Sequence, residues 1–303
     1  MTAKLRYMYD LIIVGGGPAG LSAATILGRC RRTVLVCDDG QYRNEGSVAL
    51  YGFLSRDGIH PAELRRIARE QMERYEVEFR AVRVSDAAPV EGGFTVTLED
   101  GSAASCRKLL LATGLRDAIP DVEGFHTFFG NGVFQNPYSD GWEVRDRRLA
   151  AYGSGKSAAD LARILQTWTS DVVVCTDGAG LKPEEAASLS RAGIHVLTGR
   201  IARLEGSETG LDRIVFADGS DLPVAAIFLN GPQTQRSDLA ARLGCRQTSK
   251  GALHIGRGGE TDVSGIYVTG DASGDTQLAL IAAAEGARAA IAINRALAEE
   301  MPR

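Results

Sequence analysis

The feature that most constrains the fold is a pattern that occurs twice: an apolar run, a glycine-rich turn, a helix-forming stretch and a second apolar run. Leu11-Ile-Ile-Val14 enters Gly15-Gly-Gly-Pro-Ala-Gly20, Leu21 to Leu27 has helical character, and Thr33-Val-Leu-Val-Cys37 follows. Leu149-Ala-Ala-Tyr152 enters Gly153-Ser-Gly-Lys-Ser-Ala158, a helix runs through Ile164-Leu165, and Asp171-Val-Val-Val-Cys175 follows. In this register Gly15 matches Gly153, Gly17 matches Gly155 and Cys37 matches Cys175. Short apolar runs between such turns read as buried strands of a sheet covered by helices.

The match continues downstream. Phe94 to Gly101 alternates and turns at Asp100-Gly101, a hairpin signal, before the buried strand Leu109 to Leu111. In the second copy Arg213 to Gly219 precedes Ala226 to Gly231. Beyond it, Gly265-Ile-Tyr-Val-Thr-Gly270-Asp271 reads as a strand ending at an acid, and a helix is predicted over Thr276 to Leu297. The return to the first pattern predicts a discontinuous first domain, 1–117 with 246–303, and a second domain, 118–245, inserted in it. The fold class expected is α/β, with two Rossmann-like, three-layer domains. Pro120 and Leu239 to Cys245 are the expected hinges. Pro61 to Tyr75 places Leu64, Ile67, Ala68, Met72 and Tyr75 on one face and reads as a covering helix only.

A chain of 303 residues suits two domains. Its net charge of -4, without a long basic run, argues against nucleic acid or an anionic membrane as partner. Met1 to Asp10 leaves no room for a signal peptide, and the glycines after Val14 stop that apolar run from spanning a bilayer. Cys30, Cys37, Cys106, Cys175 and Cys245 form no C-x-x-C and no zinc-like cluster, so a cytoplasmic protein with core thiols and no metal is expected.

Gly15-x-Gly17-x-x-Gly20 stands between strand and helix, where each glycine has a physical task. The first allows the tight turn, the second lets backbone approach a pyrophosphate, and the third lets helix pack on strand. Pro18 and Ala19 open a helix whose free N–H groups favour phosphate. Asp38 ends the next strand, where an acid accepts from a ribose.

These motifs, with Ala112-Thr113-Gly114 and Gly270-Asp271, resemble the FAD fingerprints of thioredoxin-reductase-like flavoproteins, and the resemblance covers essentially the whole chain. It implies that Asp271 binds the ribityl chain of FAD and that the Thr276 helix points at the flavin ring. It further implies that Asn44, Val82 and Gln277 line the cofactor, and that the protein is a homodimer. Asn136-Pro-Tyr-Ser139-Asp140-Gly-Trp-Glu-Val-Arg-Asp146 resembles the C-P-Y-C-D-G-W-E-V-R-D segment of a bacterial branch, with both cysteines replaced. Neither Asn nor Ser can form a thiolate or a disulfide, so dithiol chemistry at this position is excluded. The family's acid after the second cysteine implies Asp140 as general acid/base, with Asn136 and Ser139 left to hydrogen-bond a substrate. Against that stands a plainer role for both residues, in capping a helix and a turn.

In the second unit Gly153, Gly155 and Ala158 make an acceptable pyrophosphate turn, to which Lys156 and Ser157 add contacts. The relatives' basic clamp for a 2′-phosphate is replaced by Thr176-Asp177, which favours NADH over NADPH if a nicotinamide binds. Two functions stay open. One is an FAD-dependent oxidoreductase exchanging electrons directly with a small molecule or a protein carrier, with NADH or the substrate as donor. The other is a flavin-bound sensor without turnover. A disulfide enzyme built on Cys30 or Cys245 ranks below both.

Overall fold

A computed structural model describes residues 8–249, 251–274 and 276–300. In chain order, β1 (Met8–Val14) enters α1 (Pro18–Arg29) and β2 (Val34–Cys37), and a long loop leads to α2 (Pro61–Glu73). β3 (Glu78–Arg80), β4 (Val84–Val90), β5 (Gly93–Leu98) and β6 (Ala103–Leu111) follow, and β7 (Leu115–Asp117) leads outward. Then come β8 (Val133–Phe134), α3 (Pro137–Asp140), β9 (Leu149–Tyr152), α4 (Gly155–Leu165), β10 (Val172–Cys175), α5 (Pro183–Arg191) and β11 (His195–Leu197). β12 (Ile201–Ser207), β13 (Gly210–Phe216), β14 (Asp221–Pro223) and β15 (Ala226–Leu229) precede β16 (Gln233–Gln235), which returns beside β7. α6 (Leu239–Arg242), β17 (Ile266–Val268), a 3₁₀ turn (Gly270–Ser273) and α7 (Ala279–Glu299) close the chain.

Seven strands form the first sheet, ordered β3-β2-β1-β6-β5-β4 with β17 on β6. Its nucleotide-type half, β3-β2-β1-β6-β17, is parallel, while β4 and β5 form the hairpin side. The second sheet, β11-β10-β9-β15-β8, is parallel throughout. Both repeats therefore produce the expected strand, turn, helix and parallel strand. Leu11, Ile12 and Ile13 are wholly buried, as runs covered on both faces must be.

Three boundaries differ from the sequence reading. Leu239, Ala240 and Cys245, read as a hinge, are buried in the core of the first sheet beside Val84, Leu98 and Val268. The crossings between the sheets are instead β7 and β16, which pair antiparallel through Leu115 to Asp117 and Gln233 to Gln235. The return to the first sheet thus comes before residue 239, and the boundary expected at 245–246 falls inside packed core. Helix α7 begins at Ala279 rather than Thr276. It crosses α1 so closely that a Cβ on Gly286 would lie 2.0 Å from the Ala19 carbonyl oxygen, so only glycine allows this contact. That contact sets the start of α7 against the first glycine turn.

Candidate active site

The carboxyl ends of β1, β2, β6 and β17 open onto a cavity of about 520 Å³, walled on its other side by residues 133–140. This is where open parallel sheets place their ligands. Gly15, Gly17, Pro18, Ala19, Asp38, Asn44, Val82, Ala112, Thr113, Gly114, Gly270, Asp271 and Gln277 all line it. Gly20 does not; it lies behind the turn.

The glycine turn divides its work as chemistry requires. Gly15 sits at φ +111°, and a Cβ there would lie 2.3 Å from the Ala112 carbonyl oxygen. A Cβ on Gly20 would lie 2.0 Å from the Gly15 oxygen, so helix and strand meet backbone to backbone. Gly17 has nothing within 4 Å and faces the open cavity. Gly17→Val is therefore expected to fold but to lose FAD, because its side chain fills the space a pyrophosphate needs. Gly20→Val breaks the turn itself and lowers stability. Flavin absorbance after purification, set beside thermal unfolding of the apoproteins, checks this; flavin-loaded Gly17→Val sinks the assignment.

Asp38 is 4% exposed. Its carboxylate accepts from the Gly16 N–H at 3.0 Å, from Arg69 Nη2 at 3.0 Å and from the Tyr42 hydroxyl. The acid expected to take a ribose thus anchors the turn as well. Burial and Asp38 push the Tyr42 hydroxyl up to about 12, so it is a donor here. Arg65 lies over the Tyr42 ring, 3.5 Å from its centroid, and donates to Asn44 Oδ1 and Glu45 Oε2. Helix α2, read as a cover, in fact carries two arginines that fix Asp38 and the post-β2 loop. Thr269 Oγ1, buried in the cavity wall, has no hydrogen-bond partner among the described residues. An orphaned hydroxyl in a glycine-lined cavity fits a polar dinucleotide.

Arg43 is the hub at the junction of the two sheets. It holds Asp117 with two hydrogen bonds of 2.6 and 2.7 Å, Asp271 at 2.7 Å and Gln135 at 2.8 Å. Gln233, on β16, donates to Asp117 at 2.9 Å and forms a reciprocal amide pair with Gln277 at 2.7 and 2.8 Å. Asp271, expected on the ribityl chain, lines the cavity with one oxygen already given to Arg43, and the Gln277 amide is already paired.

Asn136, Ser139 and Asp140 meet at the cavity wall. Asn136 caps α3 by accepting from the Tyr138 N–H at 3.0 Å, and its Nδ2 donates to the Gln277 carbonyl at 2.9 Å. Each end of its amide makes one bond within the fold, which fixes the side chain in the wall. Burial raises the Asp140 carboxyl to about 7, against a hydrogen bond from Ser139 that lowers it and the charge of Glu143 that raises it further. Tyr51 lines the same wall, and burial together with Glu143, Asp140 and Asp57 raises its hydroxyl.

The second glycine turn stands apart. Gly153, Gly155, Lys156, Ser157, Ala158 and Asp177 do not line this cavity. Asp177 sits at φ +51°, with Oδ1 accepting from the Ile201 N–H at 2.8 Å and Oδ2 from the Tyr152 hydroxyl at 3.1 Å. These two bonds tie its carboxylate to the ends of β9 and β12 and fix its orientation. Arg200 packs against Gly178 of the same turn. Sequence reasoning left Arg43 without a role and missed Asp117, Gln135, Gln233, Tyr42, Arg65, Arg69 and Arg200. Apart from Tyr42, whose spacing to Asp38 is local, their partners are distant in sequence and leave no local signal.

Comparison with known proteins agrees with this geometry. The model of the family described as pyridine nucleotide-disulphide oxidoreductase matches residues 9–286. A protein of Arthroderma benhamiae named "Probable thioredoxin reductase" is 31% identical over 330 residues, covering 97% of this chain and 82% of its own. The crystal structure of HlmI superposes with a TM-score of 0.92 at 32% identity, covering 99% of this chain and 95% of that one. The oxidoreductase from Agrobacterium tumefaciens gives a TM-score of 0.89 at 30% identity, covering 97% and 100%.

Proposed function

The chain belongs to the pyridine nucleotide-disulphide oxidoreductase family, whose members use FAD and a nicotinamide nucleotide, and within it we propose a flavin enzyme that exchanges electrons directly with its substrate. The observation that supports this is that Asn136, Ser139 and Asp140 line the wall of the cavity, in the segment where the sequence resemblance expects a dithiol. The remaining thiols offer no substitute. Cys37, Cys106 and Cys175 are buried, and burial pushes each thiol up to about 12, far from the thiolate that exchange chemistry needs. Cys245 is buried too, with burial raising its thiol, and neither it nor the exposed Cys30 lines the cavity.

FAD supplies the electron-accepting ring when bound. Gly15 to Ala19 would hold its phosphates, and Ala112 to Gly114 with Gly270 and Asp271 would hold the rest of it. Asp140 holds or moves the proton that accompanies electron transfer, from a site where Ser139 orients its carboxyl. The substrate is a small molecule or a protein carrier that meets the wall left free of cysteine.

NADH is the proposed nicotinamide donor. Thr176-Asp177-Gly178 follows β10 without a basic residue, and the fixed carboxylate of Asp177 disfavours a 2′-phosphate, an effect that Arg200, packed against Gly178, offsets in part. A nicotinamide held at Gly153 to Ala158 lies away from the cavity, so hydride delivery requires the two sheets to change relative position. That separation favours one other reading, a flavin-binding protein without nicotinamide-driven turnover. Anaerobic titration of the FAD-loaded, iodoacetamide-treated protein with NADH and with NADPH decides between them. The proposal expects bleaching by NADH and reoxidation by a small quinone at the same rate before and after alkylation. Loss of turnover on alkylation sinks direct transfer, and no bleaching by either nucleotide selects the second reading.

A further inference from the structure

We propose that Asn136 is a positioning residue, which clamps the Ser139-Asp140 wall onto the flavin cavity through its hydrogen bond to the Gln277 carbonyl. The inference deepens the direct-transfer reading and rests on it.

Asn136 follows β8 of the second sheet, while Gln277 lies between β17 of the first sheet and α7. The side chain of Asn136 bridges them. Its Oδ1 takes the Tyr138 N–H at 3.0 Å, which starts α3, and its Nδ2 reaches the Gln277 oxygen at 2.9 Å. Only a planar amide offers an acceptor and a donor at this reach; a cysteine supplies one weak donor, and a serine is too short to span both. The neighbours converge on the same junction. Gln135 accepts from Arg43, and Gln277 pairs with Gln233.

The other side of the short helix is equally fixed. Gly141, its C-cap, packs on Trp168 so tightly that a Cβ would lie 2.7 Å from the indole ring, and Tyr138 meets the same ring edge-on at 5.7 Å. α3 is thus seated on Trp168 below and tied by Asn136 across the cavity. With only four residues it has no stability of its own, so these two attachments decide where Asp140 stands. Losing the Gln277 bond lets the wall lift, hydrates Asp140 and removes the burial that raises its carboxyl.

Two variants separate this clamp from ordinary helix capping. Asp is as good an N-cap as Asn, whereas Ala is not. Asn136→Asp keeps the cap and loses the donor; Asn136→Ala loses both. In the FAD-loaded protein the readouts are acrylamide quenching of Trp142 and Trp168, the two tryptophans of the chain, and the pH midpoint of the flavin spectrum. The clamp predicts that both variants raise quenching and that in Asn136→Ala, which adds no charge, the midpoint moves down from about 7 toward the ordinary carboxylate range, with FAD retained. Asn136→Asp behaving as the parent overturns the proposal, whether Asn136→Ala is impaired, which assigns a capping role alone, or is not. The tryptophan readout involves no nicotinamide and no acceptor. The clamp and the direct-transfer reading can therefore fail separately.

Discussion

Arg43→Met is expected to destabilise the protein by about 3–5 kcal/mol and to release FAD, because it leaves buried carboxylates without a counter-charge. The Asp117 side chain is 4% exposed and relies on Arg43 for two hydrogen bonds; Asp271, at 22%, gives one oxygen to the same guanidinium. Removing the arginine strands the acids in a poorly hydrated junction, and their repulsion adds to the loss. A whole domain is stable by only about 5–15 kcal/mol, so this one change removes a large share. Arg43→Lys restores charge but cannot hold Asp117, Asp271 and Gln135 together, because its ammonium lacks the planar fork. Arg43→Met combined with Asp117→Asn recovers part of the loss. Urea unfolding followed by far-UV circular dichroism, with flavin release recorded in parallel, measures each variant. An unchanged midpoint in Arg43→Met contradicts the role given to the junction.

Asp140→Asn is expected to keep FAD and lower turnover by about 10²–10⁴-fold, the usual worth of a positioned proton donor or acceptor. The parent should show a limb in its pH–rate profile near 7 that the variant lacks. Stability follows from the same shift, with a definite sign. The folded carboxyl keeps its proton up to about 7, whereas the unfolded one loses it near the ordinary value of about 4. Across that window the folded state binds more protons, so stability falls as pH rises from about 4 to about 7. Asparagine cannot ionise, so the variant is the more stable of the two above pH 7, by about 1–3 kcal/mol once partial hydration is allowed for. Melting temperatures from pH 5 to pH 8 test this. A parent curve parallel to that of the variant refutes burial of Asp140.

Much of the fold was legible because its signals are local. The first glycine turn shows its spacing in the letters: Gly20 leaves no room for a Cβ beside the Gly15 carbonyl, and Gly17 faces open space. The runs at Leu11 to Val14 and Leu149 to Tyr152 read correctly as buried strands, and the structure pairs them in parallel with β2 and β10. The return of the chain to the first sheet was misplaced because Leu239 to Cys245 looks like a linker until Leu239 and Ala240 are seen packed into a distant core. Asp177 shows the limit more sharply. An acid at the end of a second strand reads as a ribose partner, and nothing in the letters announces that a backbone N–H at Ile201 and the hydroxyl of Tyr152 also hold its carboxylate. The Arg43 junction was invisible for a related reason: its partners at 117, 135 and 271 meet only once both sheets exist. That positions 136 and 139 carry no cysteine was plain from the letters. That Asn136 spends its amide on the fold was not, because the Gln277 carbonyl is a backbone group that any residue carries.

The most direct test of direct transfer is the number of electrons the FAD-loaded protein takes up in an anaerobic dithionite titration. A flavin working alone takes up two electrons per FAD, and the titration ends when the flavin band is fully bleached. A flavin coupled to a disulfide takes up four, the additional pair appearing as two new free thiols. The account predicts two electrons and no change in thiol count. Four electrons, with new thiols reactive after unfolding, contradict it and place a disulfide couple in a chain here read as having none.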